Sequence, residues 1–316
     1  IIPLFNQAEA VERTLSSVLA QTLVNFEIVV VDDGSTDNGA ARVLALGDSR
    51  IRLITQANGG VSVARNRGVA EARSAIVAFL DADDEWRPDY LNTILHLAHA
   101  YPQCSVYATG YVIQNDRGEH QVPLLRGLDF EGEDGVMAQY FDVAHQSSPP
   151  LWTSAVACTK EALESIGGFH EALRNTGEDL LAWAQLYARY EIAYTPTPHS
   201  LYCMSSFSWN HYQRVPTRED YVGKALMGML GDSTLPAAKK VGLRRYIARW
   251  KKIRASMWMG NNDRTQALIA IAQSLYYNPF NVKVYLYLPF LMLPVALRTR
   301  LVTWVEANRS AKQSRI

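Results

Sequence analysis

Cysteine is scarce in this chain. Cys104, Cys158 and Cys203 are far apart and form neither a CxxC pair nor a zinc spacing. Buried thiols in a reducing compartment are expected, not a disulfide framework. No Walker A loop and no GxGxxG occurs, so P-loop ATPase and Rossmann dehydrogenase readings lack their defining element. No uninterrupted apolar run reaches the roughly 20 residues of a membrane span. The longest candidate, 284–297, is broken by Pro289 and Pro294, and interfacial embedding is the expectation there. The opening "IIPLF" has no charged n-region or cleavage site and reads as a strand, not a signal peptide. Internal repeats and low-complexity tracts are also missing.

What is present is an ordinary globular composition, 48% hydrophobic and 20% charged over 316 residues, enough for one large domain or two smaller ones. The formal net charge of zero conceals a split. Residues 236–316 carry fifteen Lys and Arg against only Asp263 and Glu306, whereas residues 1–235 have an equal excess of acids. Two regions of opposite charge, 1–235 and 236–316, are expected to do different jobs.

The first hundred residues alternate strand and helix. "IIPLF" is an apolar strand, and Asn6 is placed to cap the next helix, in which Val11, Leu15, Val18 and Leu19 recur at helical spacing. "FEIVVV" is a β-branched run suited to a strand buried on both faces. "RIRLIT" and "AIVAFL" are further strands, with the helix "VSVARNRGVAEAR" between them. Such alternation predicts βαβ units and a parallel sheet, an α/β fold. "SVYATGYVI" reads as a strand with one wet face, and 114–150 as a long polar loop. "TKEALESIGGF" is a helix capped by Thr159 and stopped by Gly167 and Gly168, and "GEDLLAWAQLYARY" is another. Beyond 238 the pattern is helical only, with Leu243, Ile247, Trp250, Ile253 and Met257 in one stripe between basic residues.

Two strands end in acids, "EIVVVDDGS" and "IVAFLDADD". In a parallel sheet the carboxyl ends of the strands share one edge, where α/β folds bind ligands. Asp32, Asp33, Asp81 and Asp83 are therefore expected to converge on one crevice. Gathered carboxylates need a cation or hydrogen-bond donors. A hard divalent metal, Mg²⁺ or Mn²⁺, suits them and leaves room for substrate phosphates. Taken singly, each acidic turn reads as a turn or a helix cap; it is the pair, on two strands of one sheet, that points to a site.

The segments "IIPLFNQAEAVERTLSSVLAQT", "FEIVVVDDGSTD", "NGGVSVARNRGVAEA", "FLDADD" and "IGGFHE…GEDLLAW" follow one another as in family 2 glycosyltransferases of the GT-A fold. The resemblance covers about residues 1–210 and leaves the tail outside it. It implies transfer of a hexosyl-type sugar from a nucleotide-diphosphate donor to an acceptor hydroxyl, with inversion. UDP is the nucleotide most frequent in the family. By this resemblance Asp33 accepts from the nucleobase, with Asp32 adjacent and Pro3 and Phe5 beside the base. Asp81 looks like the first acid of the DXD motif, facing ribose or sugar hydroxyls, and Asp83 like the direct metal ligand. Asp179 resembles the catalytic base, with Glu178 beside it as a supporting or acceptor-contacting acid; Arg65 and Asn66 resemble donor-contacting positions, a place on the helix surface being the other reading for both. An inverting enzyme needs no nucleophile of its own, and none is evident. Trp152 is a candidate wall for an acceptor sugar or a core residue. His211 lies where some relatives touch the diphosphate or metal; a surface-loop histidine is the other reading. His96 and His99 read as a solvated face.

The basic tail, with Tyr246, Trp250, Trp258 and the apolar 284–297, suits a peripheral anchor on an anionic membrane surface, at the cytoplasmic face. Packing against the acidic region is the other reading. No nucleic-acid module is recognisable, so no nucleic-acid partner is expected. The expected partners are a nucleotide-sugar donor and a saccharide or lipid-linked saccharide acceptor. A sugar-nucleotide pyrophosphorylase is an alternative, but "PLFNQAEAVERT" lacks the Gly-rich basic loop it requires. A non-catalytic sugar-nucleotide or membrane-binding relative is another.

Overall fold

The computed structural model describes residues 1–115, 117–173, 176–203, 214–294, 297, 298, 300 and 301. In chain order the elements are β1 (Ile2–Leu4), α1 (Val11–Leu19), β2 (Ile28–Asp32), α2 (Gly39–Ala45), β3 (Ile51–Thr55), α3 (Val61–Glu71), β4 (Ile76–Ala78) and β5 (Glu85–Trp86). They continue with α4 (Tyr90–Ala100), β6 (Val106–Gln114), β7 (His120–Gln121), β8 (Gly135–Val136), α5 (Tyr140–Gln146), β9 (Val156–Thr159), α6 (Lys160–Ser165), α7 (Glu178–Arg189) and β10 (Ile192–Cys203). Helices complete the chain: α8 (Tyr221–Gly231), α9 (Ala237–Gly260), α10 (Arg264–Tyr277), α11 (Val282–Tyr285) and α12 (Tyr287–Met292).

β1, β2 and β3 form a parallel sheet with β2 central. The second sheet runs β4-β9-β6-β10-β5, with β7 on β6 and β8 on β10. Within it β6 and β10 are parallel, and β9 is antiparallel to both of its neighbours. Backbone bonds from Ile1 N to Ala78 O (2.8 Å) and from Leu80 N to Ile1 O (3.0 Å) join the two sheets along β1 and β4. The result is one mostly parallel α/β sheet. All five residues of β2 are buried, as its β-branched run predicts. Each fully buried Val or Ile there contributes about 1.5–3 kcal/mol. Helices cover both faces. Leu15 and Val18 of α1 pack with Ile94 and Leu97 of α4 on one face; Trp183 and Leu186 of α7 pack with Tyr140 and Phe141 of α5 on the other.

Three local expectations change, and one strand appears that was not expected. Asn6 does not cap α1, which starts at Val11. It takes a left-handed conformation (φ +53°), and its amide oxygen accepts from Thr36 N at 2.8 Å, tying β1 to the turn after β2. β6 has no wet face over Val106–Val112, because β9 and β10 flank it and helices cover it. The polar stretch 114–150 contains α5, whose Tyr140, Phe141, Val143 and Ala144 enter the core. β10 was not legible, since Pro196 and Pro198 sit in its middle. A bulge between Thr195 and Ser200 absorbs them. Opposite the bulge is Gly110, where a Cβ would stand 2.2 Å from Pro196 O. Thr159 does cap α6, accepting from Ala162 N at 3.2 Å, and Gly167 and Gly168 follow its end.

The expected boundary at 235/236 falls just before α9, and packing runs across it. Leu243, Tyr246, Ile247 and Trp250 belong to the same core as Tyr140, Phe141 and Tyr187. A second small core joins Trp258 and Met259 of α9 to Ile271, Val284 and Leu291. Among the described residues no helix is long and apolar enough to cross a membrane.

Candidate active site

The site is built at the carboxyl edge of the parallel strands. β2 ends at Asp32, whose Oδ1 accepts from Ser35 N at 2.9 Å. Asp33 is buried, and three protein donors face it. Its Oδ1 accepts from Gln56 Nε2 (2.7 Å) and Gly59 N (2.9 Å), and its Oδ2 from Gly60 N (2.8 Å). It thereby clamps the β3–α3 loop onto the end of β2. A carboxylate has about four acceptor sites, so room for one more donor is left. Pro3 is half-buried in β1 and pairs with Val31; Phe5, just past the strand, is 47% exposed.

The acids after β4 separate into different environments, which answers how a run as dense as "DADDE" survives. Asp81 Oδ1 accepts from Arg65 at 2.7 Å. Asp84 is fully buried. It accepts from Ser154 Oγ (2.5 Å), Trp152 Nε1 (2.9 Å) and Cys203 N (3.0 Å). Its carboxyl is still pushed well above the usual range, by burial and then by Asp83 and Asp81. Glu85 pairs with Arg13 at 2.8 Å. Asp83 has a distant donor, Gln7 Nε2 at 3.4 Å, and its carboxyl is pushed up to about 6 by burial and by the charge of Asp81.

Among the described residues the four acids do not gather into one metal-holding cluster, and no three His, Cys, Asp or Glu lie closely enough to hold a metal ion by themselves. The reason is visible in the bonding: Asp32 and Asp33 turn back onto their own loops, whereas Asp81 and Asp83 remain close enough to repel. Those two are the carboxylates whose chemistry fits one hard cation, since Mg²⁺ or Mn²⁺ takes one or two carboxylates and fills its other positions with water and phosphate.

Opposite Asp81 stands the start of α7. Gly177 precedes the helix in a left-handed conformation (φ +86°). A Cβ there would lie 2.9 Å from the Trp250 ring of α9. Glu178 and Asp179 follow. Glu178 Oε1 faces Arg65 at 3.4 Å, while its Oε2 is buried without a hydrogen-bond partner. Burial and the neighbouring Asp179 push its carboxyl up to about 7. Asp179 Oδ1 accepts from Leu180 N at 2.6 Å. A helix N-terminus and Arg65 favour its charged form, but burial outweighs them and raises its pKa.

Arg65 links the two sides. It is 3% exposed on the inner face of α3, 5.3 Å over the Phe169 ring, and it bonds Asp81 on one side and Glu178 on the other. A helix-surface position is thereby excluded for it. Asn66 has turned away: its amide donates to Phe169 O (2.8 Å) and Glu171 Oε1 (3.2 Å) and accepts from Phe169 N (2.8 Å). It holds the "IGGFHE" loop.

Arg65, Asp81, Glu178 and Asp179 line one cavity of about 250 Å³, which Trp152 and Tyr202 also wall. One water needs only ~10–15 Å³, so a ligand ring has space. The Trp152 ring lies 4.1 Å from that of Tyr202 and 5.8 Å from that of Tyr111, centre to centre. The α9 residues Tyr246, Arg249 and Trp250 of this cavity, and Asp84, which holds its wall residue Trp152, were missed from sequence. Asp84 reads as one acid among several. The α9 residues lie beyond the recognisable motifs, although the stripe containing Trp250 was a signal. His211 falls outside the described residues.

A parallel sheet edge carrying acidic turns, with a carboxylate pair across a cavity, is where an α/β enzyme binds its ligand. The chain belongs to glycosyltransferase family 2: the family described as "Glycosyl transferase family 2" matches residues 1–163. Among similar proteins, the Escherichia coli K12 "Uncharacterized glycosyltransferase YibD" is 43% identical over 100 residues, 31% of this chain and 29% of that protein. The Escherichia coli "UDP-Glc:alpha-D-GlcNAc-diphosphoundecaprenol beta-1,3-glucosyltransferase WfgD" is 42% identical over 87 residues, 27% of this chain and 34% of that protein. These matches span about a third of the relatives' length. Staphylococcus aureus TarS (residues 1–349, with UDP-GlcNAc) superposes with a TM-score of 0.66 at 16% identity, over 87% of this chain and 80% of that one. That likeness establishes the fold as GT-A, with a helical C-terminal region.

Proposed function

We propose that the protein transfers a hexosyl-type sugar, with inversion, from a nucleoside-diphosphate sugar to a hydroxyl of a saccharide or lipid-linked saccharide, in the synthesis of a surface polysaccharide or glycolipid. UDP is the favoured nucleotide; the name of WfgD gives UDP-Glc, and the TarS structure is a complex with UDP-GlcNAc. The observation that carries the reading is the single cavity in which Glu178 and Asp179 stand across from Asp81, with Arg65 between them.

In this reading Asp33, with Asp32 beside it, closes the base pocket beside Pro3 and Phe5, and Asp81 takes sugar or ribose hydroxyls. Asp83 and Asp81 would hold Mn²⁺ or Mg²⁺, which when bound supplies Lewis-acid stabilisation to the departing diphosphate. Asp179 takes the proton from the acceptor hydroxyl as its oxygen attacks the anomeric carbon. The new C–O bond forms on the face opposite the leaving nucleoside diphosphate, which departs with the electron pair. Burial keeps Asp179 more basic than an exposed aspartate, which suits a general base. Glu178, its carboxyl held up to about 7, is partly protonated at neutrality and in that form donates to the acceptor, where an ionised neighbour would repel Asp179. Arg65 fixes the distance between the donor and acceptor sides, and Asn66 supports the loop leading to them. The basic 236–316 region would seat the enzyme on the cytoplasmic face of an anionic membrane; no nucleic-acid partner is invoked.

The test is calorimetric titration of UDP-, GDP- and dTDP-sugars with and without Mn²⁺, on wild type and Asp83→Ala. Metal-dependent binding of one nucleotide class, lost in the variant, is expected. Absence of binding to the folded protein with metal present would sink the reading.

A further inference from the structure

The cavity has an acidic side and, on α9, a basic one that the transfer chemistry above does not use. Arg249 lines the cavity together with Asp179 and Trp152. It donates one hydrogen bond, to Ser147 O at 2.8 Å, which leaves most of its five N–H donors without an acceptor among the described residues. Lys252, one turn further along the same face of α9, makes no hydrogen bond, and neither residue has a carboxylate within 4.0 Å among the described residues. Their basic neighbours on the same helix do: Arg245 pairs with Asp142, and Lys251 and Arg254 with Asp220.

Two further groups face this pair. Lys283 of α11 and Arg249 both press on Lys252, and with burial they push its ammonium down to about 8. His145 of α5, whose Nδ1 is buried without a partner, is lowered by burial and by Arg249, Lys252 and Arg245. Asn278 sits 3.3 Å from His145 Nε2. A solvated basic face does not impose such mutual repulsion on half-buried groups. An anion of two or more charges relieves it, and a guanidinium fork matches phosphate oxygens in pairs. On both sides of Lys283 in sequence, Phe280, Val282, Leu286 and Met292 expose apolar side chains to solvent.

We propose that Arg249 and Lys252, with Lys283 and His145 behind them, form a diphosphate subsite for the acceptor, which is a glycosyl diphosphate carried on a lipid. The acceptor sugar lies between this subsite and Asp179, against Trp152, and the lipid leaves along the apolar side chains of α11 and α12. The inference deepens the transferase reading and rests on it. The donor's diphosphate belongs on the opposite side, by Asp81 and Asp83, where carboxylates exclude it unless a metal is present. The two phosphate positions therefore differ in metal dependence, which makes them separable.

The experiment is calorimetry of the full chain in excess chelator, with inorganic pyrophosphate and farnesyl diphosphate as probes. Wild type, Lys252→Glu and Arg249→Gln are compared, with thermal unfolding as the check on folding. Expected is metal-independent binding of both probes, tighter for farnesyl diphosphate, and weakened about tenfold or more by Lys252→Glu, equivalent to about 1.4 kcal/mol. No binding to wild type at millimolar probe, or unchanged affinity in folded Lys252→Glu, overturns the subsite. Equal affinity for the two probes overturns the lipid carrier. A separate titration of UDP-sugar with Mn²⁺ on wild type distinguishes the two levels: a blank there removes the transferase reading, while chelator-resistant diphosphate binding reports the basic site by itself.

Discussion

Arg65 shows how much of this site depends on one buried charge. Removed from water on α3, it is stabilised by Asp81 and Glu178, and its attraction to them outweighs its own desolvation. The acids beside it have distinct tasks, and each task has a measurable signature. Asp179→Asn keeps the shape and removes the base. Transfer should fall by about 10²–10⁴ while calorimetric donor affinity stays within about twofold; a variant that still turns over normally would move the base elsewhere. Glu178 has a linkage signature. Its pKa is raised from 4.5 to about 7 in the folded protein, so between those values the native state holds more protons than the unfolded state. Its contribution to stability therefore falls as pH rises through that window and is flat above it. Glu178→Gln removes the slope, and relative to wild type the variant should gain on the order of 2–3 kcal/mol between pH 4 and pH 8. Urea unfolding at both pH values checks it, and an equal difference at the two would show that Glu178 does not titrate there.

At the scale of elements, the turn before α7 is the most demanding piece of backbone in the site. Gly177 is left-handed and touches the Trp250 ring, so a side chain meets both strain and a clash. Gly177→Ala should cost about 1–3 kcal/mol of stability and lower transfer by misplacing Glu178 and Asp179; thermal unfolding and an activity assay together read it. A glycine before an acidic pair is visible in "TGEDLL", but its partner, seventy-three residues on, is not. The same limit explains what the sequence conceals elsewhere. β2 was legible because four β-branched residues in a row, Ile28 to Val31, leave one solution. Asp33 and Asp81 were legible because strands ending in acids place them on one edge. Their partners were not, since Gln56, Gly59 and Gly60 carry no pattern of their own. β10 was hidden by its prolines, and α5 by the polar residues around it. Arg65 stood in an apparently mixed helix face, and only packing against Phe169 shows that face to be inside.

For the whole molecule, the question is whether residues 236–316 are an appendage or part of the enzyme. Their opposite charge suggested separate work, yet α9 lies against α5 and α8. Tyr246 Oη is 3.1 Å from Tyr140 Oη and donates to Leu180 O at 3.1 Å. Trp250 Nε1 and Lys251 Nζ reach Asp220 at 2.8 and 2.6 Å. Asp220 also caps α8 by accepting from Gly223 N at 2.9 Å. Ending the chain at 235 would expose the core faces that Leu243, Tyr246, Ile247 and Trp250 cover. At about 1.5–3 kcal/mol for each large apolar side chain, the loss is roughly 6–12 kcal/mol, as large as the total stability of about 5–15 kcal/mol usual for a domain. The 1–235 fragment should therefore lose its near-ultraviolet circular dichroism and its cooperative unfolding transition. Cooperative unfolding of that fragment alone would show instead that the GT-A core is independent and that α9 is merely docked on it. In the expected case, the helix carrying Arg249 and Lys252 is both a wall of the cavity and a support of the sheet. A change in the basic region then reaches Gly177, Glu178 and Asp179 directly through Trp250.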